Sequence, residues 1–232
     1  MKAIIFDMDG VIIDSEPLHT KLELELLEEF GGKISKEEHD AFTGTTDYHM
    51  WSTFKDRFNL EPSVEELIEI KKDRFIQNIH EVKLVDNFYE FMLKLYNEKY
   101  LLALASSNNR KSINLVMDKF NLKKYIEYSI SGEEVVKGKP NPEIFLKAAE
   151  KLDVKPQECL VVEDSSAGVI AAKSAGMKCI GFKNPNSGNQ DLSKPDIIII
   201  YFHHCPYKYL FLFLIFHRLL PCPCFMTSFK GR

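Results

Sequence analysis

Two pairs of acidic residues follow short apolar segments of this 232-residue chain. Asp7 and Asp9 lie in the segment DMDG, where Gly10 gives the backbone conformational freedom, and Glu163 and Asp164 follow the apolar run CLVV. Four clustered carboxylates repel one another unless a cation is present, and Mg²⁺ prefers carboxylate, water and phosphate oxygens as ligands. The two pairs therefore predict a magnesium site that also receives a phosphate group.

Two further residues are suited to bind the phosphate itself. Ser106 follows the apolar run LLALA and offers a hydroxyl next to backbone N–H groups, and Lys139 offers a point positive charge. Each also has a simpler explanation, because Ser106 and its neighbours could cap a helix and a lysine before a proline is usually solvated. Their combination with the acidic pairs, in this order, favours the phosphate site.

The elements that must position these residues are short apolar strands separated by helical patterns. We predict strands at residues 3–7, 101–105, 128–130, 159–163, 178–182 and 196–200, and helices at 88–96, 142–152 and 165–176. Strands that alternate with helices predict an α/β fold with a doubly wound parallel sheet. Ligands of such sheets bind at the carboxyl ends of the strands, where the residues above are found.

A long insertion separates the first two predicted strands. Residues 8–100 lie between them, whereas a helical crossover needs only a dozen or so. Three segments of this insertion carry apolar residues at helical spacing without a strong strand signal: 18–30, 37–42 and 63–79. We therefore predict a small helical cap domain over residues 15–82, inserted into a core domain formed by residues 1–14 and 83–200.

Four segments together resemble the motifs of the haloacid dehalogenase (HAD) superfamily: DMDGV (7–11), ALAS (103–106), GKP (138–140) and VVEDS (161–165). The resemblance covers residues 1 to about 200 and implies a Rossmann-like core with an inserted cap. It looks closest to the subfamily of β-phosphoglucomutases and sugar-phosphate phosphatases. The segments that carry this closer likeness are DGVIIDSEPLH (9–19), KPNPEIF (139–145) and EDSSAGVIAAKSAGM (163–177).

The resemblance implies a role for each matching residue. Asp7 is the nucleophile that carries the phosphoryl group, and Asp9 is the general acid for the leaving group and then the base for water. Mg²⁺ is held by the Asp7 side chain, the Asp9 backbone carbonyl and Asp164, with Glu163 bound directly or through water. The groups that surround the phosphate are Ser106, Lys139 and the backbone near Gly10.

In this family the cap closes over the core, and substrate choice is expected there. His19 falls where similar mutases place a histidine, although on its helix it could also be a residue at the border of the core. Lys72, with Lys71 and Arg74, could reach a substrate anion, although a lysine-rich helix face is usually solvated. The mutases carry an arginine for a distal phosphate near position 47, where this chain has Asp47, an acid that would repel a second phosphate.

The expected function is that of a Mg²⁺-dependent phosphatase that hydrolyses a small phosphorylated metabolite, in the first place a sugar phosphate, through an aspartyl-phosphate. The first alternative is a phosphosugar mutase of the β-phosphoglucomutase type with the same nucleophile. The second alternative is an inactive or destabilised binding protein, which only the unusual C-terminal segment suggests.

Composition narrows the partners and the compartment. Residues 1–200 carry a formal charge of −8, because 26 basic residues are set against 34 acidic ones, and this argues against a nucleic-acid partner. The odd number of cysteines, five, has no disulfide-framework spacing and predicts reduced thiols. No secretory signal pattern precedes Asp7. We expect a cytoplasmic monomer.

Residues 201–232 do not fit the family pattern. Nine of these residues are aromatic and none is acidic. The apolar run 209–216 is too short to cross a bilayer, so we predict no membrane span. The histidines and cysteines of the segment match no zinc-site spacing. A shifted reading frame is our hypothesis for the abrupt change in composition.

Overall fold

The computed structural model describes residues 1–43, 45–188 and 190–204. The strands within these residues are β1 (Ala3–Phe6), β2 (Ile13–Asp14), β3 (Lys83–Leu84), β4 (Leu101–Ser106), β5 (Tyr128–Ser131), β6 (Cys159–Glu163), β7 (Lys178–Phe182) and β8 (Ile197–Ile199). Six of them form one parallel sheet in the order β5-β4-β1-β6-β7-β8. The remaining two, β2 and β3, pair antiparallel where the chain leaves and re-enters the region of the sheet.

The helices alternate with the strands of the sheet or lie in the insertion. They are α1 (Glu16–Glu29), α2 (Lys36–Asp40), α3 (Asp47–Phe58), α4 (Val64–Gln77), α5 (Phe88–Asn97), α6 (Arg110–Lys119), α7 (Glu143–Lys151) and α8 (Ser166–Ser174). Short 3₁₀ turns occupy Ile79–Glu81, Leu122–Lys124, Gly132–Glu134, Pro156–Glu158 and Phe202–His204. The predicted α/β fold with a doubly wound parallel sheet is confirmed.

The first strand lies at the centre of the sheet because both of its faces are apolar. Successive side chains of a strand point to opposite faces. Ile4 and Phe6 pack into a hydrophobic cluster on one face, and Ala3 and Ile5 pack into a second cluster on the other. All four are fully buried. This burial fixes the position of the loop that begins at Asp7.

Helices α1, α3 and α4 share a third hydrophobic cluster, which is separate from those of the sheet. Its centre is formed by Leu26, Trp51, Phe54 and Leu67, which are 0–1% exposed. Helix α3 was not among the predicted helices, because its buried residues are mainly aromatic rather than a regular aliphatic stripe. The division of the chain into a cap and a core stays a proposal, and we call residues 15–82 the helical insertion below.

Helix α8 is positioned by the residues that the sequence indicated. The Ser165 hydroxyl accepts a hydrogen bond from the Gly168 N–H at 3.0 Å, so this serine is the N-cap as predicted. Gly176 follows the helix with a φ of +74°, a conformation that favours glycine. Helix α7 begins one residue later than predicted, since Pro142 occupies the N-cap position.

Phe202, which the sequence-based division placed in the C-terminal segment, packs into the core. Its ring stacks on Phe182 at a centroid distance of 4.5 Å and on Phe91 at 5.0 Å, and it is 1% exposed. No helix in the described part of the chain is long and apolar enough to cross a membrane. The apolar run 209–216 and the cysteines after residue 204 lie outside the described residues.

Candidate active site

The carboxyl ends of three neighbouring strands supply the residues of the candidate site. Asp7 follows the central strand β1, Ser106 ends β4, and Glu163 ends β6. The Asp7 N–H donates to the Val162 carbonyl at 3.0 Å, which extends the pairing of β1 with β6 by one residue. The predicted acidic and hydroxyl groups therefore meet at one edge of the sheet.

Three carboxylates form a buried cluster at this edge. Asp7, Glu163 and Asp164 each offer an oxygen, these oxygens lie within 4.8 Å of one another, and the residues are 1–7% exposed. Asp9 lies beside the cluster, where its carboxylate accepts hydrogen bonds from the Ser15 hydroxyl at 2.7 Å and from the Asn108 side-chain amide. Three of the four predicted carboxylates therefore form the cluster, and the fourth, Asp9, is held beside it by Ser15 and Asn108.

Lys139 is the cation of this cluster. Its ammonium group donates to Asp7, to Glu163 Oε1 at 2.8 Å and to the Ala105 carbonyl at 3.1 Å. Burial alone would lower the pKa of Lys139, but the charges of Asp7 and Glu163 raise it above its ordinary value. Lys139 therefore stays protonated, and its one positive charge is outnumbered by the three acidic side chains of the cluster.

Because acids outnumber the cation, the pKa values of two acids in the cluster are raised. Burial, opposed by Lys139 and aided by Glu163 and Asp9, raises the pKa of Asp7 to about 8. Burial also raises the pKa of Asp164 well above its ordinary value, and the neighbouring acids add to this. A divalent cation would relieve both effects, and three hard oxygen donors are the ligands that such a cation prefers. The cluster could therefore hold a metal.

Two glycines leave the space that these carboxylates occupy. Gly10 has a φ of +73°, and a Cβ built on it would overlap the Asp164 carboxylate. A Cβ on Gly168 would overlap the Glu163 carboxylate in the same way. Any side chain at either position would displace an acid of the cluster. Gly10 was predicted to matter through its backbone, whereas the need for Gly168 was missed because it lies inside a helix.

Ser106 lies at the predicted place and does not cap a helix. It is 1% exposed, and its hydroxyl accepts a hydrogen bond from the Asn108 N–H at 3.1 Å. The cap of α6 is Asn109, whose side chain accepts from the Ser112 N–H at 2.8 Å. The simpler explanation for Ser106 is therefore wrong, and its hydroxyl lies at the carboxyl end of β4 beside the cluster.

A loop after β7 supports the site, and the sequence interpretation missed it. The Ser187 hydroxyl donates to Asp164 Oδ2, and the Asn184 side-chain amide donates to the Gly10 carbonyl at 2.9 Å. Asn186 donates to both carboxylate oxygens of Asp14 at 3.1 and 2.9 Å. The segment NPNSG looked like an ordinary turn, and nothing in its composition indicated contacts with residues 10–14.

A cleft of about 430 Å³ separates the helical insertion from the sheet edge. Its walls include His19, Lys72 and Phe75 on the insertion and Ser107 and Asn108 on the core. Both predicted insertion residues, His19 and Lys72, therefore line the cleft. Asn108 lines the cleft and also donates to Asp9, so it connects the wall of the cleft to the aspartate beside the acidic cluster.

The two insertion residues predicted from the sequence differ in their surroundings. His19 stacks on Phe75 at a centroid distance of 4.4 Å, and its Nδ1 is buried without a hydrogen-bond partner among the described residues. Burial, and then the charge of Lys71, lower the pKa of His19, so the ring is neutral. Lys72 is half-exposed and pairs with Glu69 at 2.6 Å.

Comparison with known proteins agrees with this geometry. The sequence profile of the family described as haloacid dehalogenase-like hydrolase matches residues 4–182. The chain is 33% identical over 184 residues to the phosphorylated carbohydrates phosphatase of Thermotoga maritima, covering 78% of this chain and 84% of that protein. It is 32% identical over 192 residues to hexitol phosphatase B of Escherichia coli strain K12, covering 81% and 86%.

A solved structure shows the same fold. The β-phosphoglucomutase from Clostridium difficile superimposes with a TM-score of 0.75 at 23% identity, over 95% of this chain and 100% of that one. At this identity the likeness concerns the fold alone. The family profile and the curated relatives confirm the resemblance found in the sequence motifs, and with it the expectation of an enzyme. The chain belongs to the haloacid dehalogenase-like hydrolases.

Proposed function

We propose that this chain is a Mg²⁺-dependent phosphatase that hydrolyses the monophosphate ester of a small sugar or sugar alcohol through an aspartyl-phosphate on Asp7. The observation that carries the proposal is the position of Asp7. It lies at the end of the central strand, bound to Lys139, within a cluster of acids, and beside a second carboxyl group that is held by its own hydrogen bonds. Phosphatases at 32–33% identity support the substrate class.

The two aspartates of the opening motif divide the chemistry between them. A carboxylate oxygen of Asp7 attacks phosphorus, and the bond to the leaving oxygen breaks while the Asp9 proton moves to that oxygen. Asp9, now a carboxylate, takes a proton from a water molecule whose oxygen attacks the aspartyl-phosphate. Inorganic phosphate leaves and Asp7 is regenerated. The hydrogen bonds from Ser15 and Asn108 fix the direction of the Asp9 carboxyl group throughout.

Mg²⁺ would be held by the Asp7 side chain, the Asp9 backbone carbonyl and Asp164, with Glu163 bound directly or through water. When bound, the ion neutralises charge on the phosphoryl oxygens. Lys139 and the Ser106 hydroxyl supply the remaining contacts to the phosphate, together with the backbone near Gly10. These groups bind and orient, since phosphoryl transfer depends mainly on positioning and on neutralising charge.

The helical insertion would act as the cap that excludes water and selects the substrate. Its support is the cleft, which is walled by His19, Lys72 and Phe75 on one side and leads to Asp9 through Asn108 on the other. The neutral ring of His19 faces this cleft and offers a contact for a substrate hydroxyl. Lys72 lies at the rim, where its pairing with Glu69 weakens its attraction for an anion.

A phosphate-release assay tests the proposal. Glucitol 6-phosphate and glucose 6-phosphate, supplied with Mg²⁺, should release inorganic phosphate, and excess chelator should stop the reaction until Mg²⁺ is restored. Asp7→Asn should reduce release to the background rate, while Asp118→Asn, at a 62%-exposed side chain, should not. Full activity in chelator or in Asp7→Asn would refute the mechanism. Isomerisation of β-glucose 1-phosphate without net phosphate release would instead identify a mutase.

A further inference from the structure

A buried lysine of the helical insertion forms ion pairs with two carboxylates. Lys71 on α4 is 6% exposed, and its ammonium group donates to both carboxylate oxygens of Asp47 at 2.8 Å. The same group lies 3.1 Å from Glu23 Oε1. A single positive charge is therefore shared between two negative ones. The sequence suggested Lys71 as a residue that could reach an anion, but this pairing leaves it little attraction for one.

The second oxygen of Glu23 is also occupied. It lies 2.7 Å from Nε2 of His39, a residue that is 4% exposed. The hydrogen bond from His39 and the charge of Lys71 outweigh the effect of burial and lower the pKa of Glu23, which is therefore ionised at neutral pH. Lys71, Asp47 and Glu23 together carry one net negative charge. We call these three residues the charge triad.

The charge triad lines a cavity of about 170 Å³ within the insertion, which is open to solvent on one side. Two buried imidazole nitrogens at this cavity are unsatisfied: Nδ1 of His19 and Nδ1 of His39 have no hydrogen-bond partner in the described part of the chain. A buried polar atom without a partner costs free energy, so such atoms mark a place where a polar ligand or water completes the bonding. The cavity is therefore equipped for hydrogen bonds, and its lysine, Lys71, is already paired with Asp47 and Glu23.

The cavity and the cleft share part of their walls. His19, Asp47 and Lys71 line both, and the cleft continues to Asn108, which donates to Asp9. A substrate whose phosphate reached Asp7 would extend its other end along this cleft toward the charge triad. The second lysine of the cleft, Lys72, is paired with Glu69. The lysines along this path are thus compensated, and a second anion would meet excess negative charge.

We propose that the charge triad selects monophosphates whose far end carries hydroxyl groups and no second anionic group, and that Asp47 is the specificity-determining residue. This inference rests on the proposed function, since it concerns the far end of the same substrate. A hydroxyl both donates and accepts, so it satisfies an imidazole nitrogen in either tautomer. A carboxylate or second phosphate finds no free cation and is repelled by the net charge of the charge triad.

Two compounds of equal length separate these cases. Glucitol 6-phosphate and 6-phosphogluconate differ only at the far end, which is a hydroxymethyl group in the first and a carboxylate in the second. Their affinities are measured with Mg²⁺ present, by competition with the hydrolysis of an aryl phosphate or, in a protein that does not turn over, by calorimetry. The native protein should bind glucitol 6-phosphate at least about tenfold more tightly. Equal or reversed affinities, or no binding of either compound, would overturn the inference.

Three variants show whether the charge triad causes the preference. Asp47→Asn makes the net charge of the triad zero and should reduce the affinity ratio about tenfold. Asp40→Asn removes the same charge from an exposed position paired with Lys36, and should leave the ratio unchanged. Adding Lys71→Met to Asp47→Asn returns the net charge to −1 and should restore the discrimination. An unchanged ratio in a folded Asp47→Asn protein would overturn the role of Asp47.

The outcomes also separate this inference from the proposed function. An aryl phosphate that is not hydrolysed contradicts the phosphatase activity, while the affinity ratio still reports on the charge triad. An aryl phosphate that is hydrolysed together with tighter binding of 6-phosphogluconate contradicts only the charge selection. Melting curves of each variant identify any loss of folding before affinities are compared.

Discussion

The hydroxyl of Ser187 donates a hydrogen bond to the carboxylate of Asp164, across a distance of 23 positions in the chain. This bond favours the ionised form of Asp164 and opposes the burial that raises its pKa. Asp164 is the acid of the cluster that also occupies the space above Gly10. Ser187 therefore orients a proposed metal ligand without lying in the cluster itself.

We expect Ser187→Ala to weaken Mg²⁺ binding about 10–100-fold, the usual effect of removing a group that orients a metal ligand. Calorimetric titration of the metal-free protein with Mg²⁺ measures this directly, and KM for Mg²⁺ in the phosphate-release assay should rise in parallel. Ser193→Ala, in an exposed turn, is the matched control. Unchanged Mg²⁺ affinity would show that Asp164 is held without Ser187.

Asp9→Asn should spare binding and slow the chemistry, because its expected metal contact is through the backbone carbonyl. General acid–base catalysis typically contributes ~10²–10⁴-fold, so the single-turnover rate for a sugar phosphate should fall by about that factor. The burst that forms the intermediate from an activated aryl phosphate should fall less, since that leaving group needs little protonation. Equal losses for both leaving groups would show that Asp9 is not the general acid.

Mg²⁺ binding should release a proton near neutral pH. Without metal, burial and neighbouring acids raise the pKa of Asp7 to about 8, so below that pH the ion must displace the proton of this carboxyl group. Apparent Mg²⁺ affinity should therefore increase with pH across the pKa of Asp7, about 8. Calorimetry in two buffers of different ionisation enthalpy measures the proton released. Affinity that is independent of pH between 6 and 9, with no proton release, would contradict this prediction.

Glu16 should make the protein less stable as pH rises. Burial, aided by Glu23 and Asp9, raises its pKa from 4.5 to about 7 despite its place in the first turn of α1. Between these values the native state binds more protons than the unfolded state, so the free energy of unfolding falls with increasing pH. The loss is complete above pH 7 and amounts to roughly 3 kcal/mol.

Replacing the Glu16 carboxyl group should remove this pH dependence of the free energy of unfolding. Glu16→Gln should therefore be more stable than the native protein at pH 8 by about 2–3 kcal/mol, with little difference at pH 4.5. Urea unfolding at both pH values measures the change. Glu25→Gln, on the exposed face of the same helix, provides the comparison. A stability difference that is equal at both pH values would mean that Glu16 is not the titrating group.

The strands and the sheet edge could be predicted from the sequence because their signals are local. A run such as AIIF is buried on both faces wherever it lies, and the carboxyl ends of parallel strands must share an edge. Asp7, Ser106 and Glu163 were therefore brought together on the correct side of the sheet. For residues that end or directly follow a strand, locating the strand in the sequence was enough to predict their position.

Contacts between residues that lie far apart in the sequence could not be predicted in the same way. The pairing of Lys71 with Asp47 depends on how α3 packs against α4, and the bond from Ser187 to Asp164 depends on where the loop after β7 returns. Neither pair has a spacing that indicates contact. The Asp9 side chain was expected within the cluster of four carboxylates, but its orientation is decided by Ser15 and Asn108, which lie on different elements.

The position of β1 at the centre of the sheet has a consequence for the order of folding. Its partners begin at Leu101 on one side and at Cys159 on the other, so the strand synthesised first has no partner until the whole helical insertion has been made, and its second partner comes later still. During synthesis the apolar segment AIIF has no strand to pair with in the sheet until β4 has been made. Contacts of such long sequence separation slow folding. The loop that begins at Asp7 therefore acquires its final geometry late, after helices α1, α3 and α4 have had time to form their own cluster.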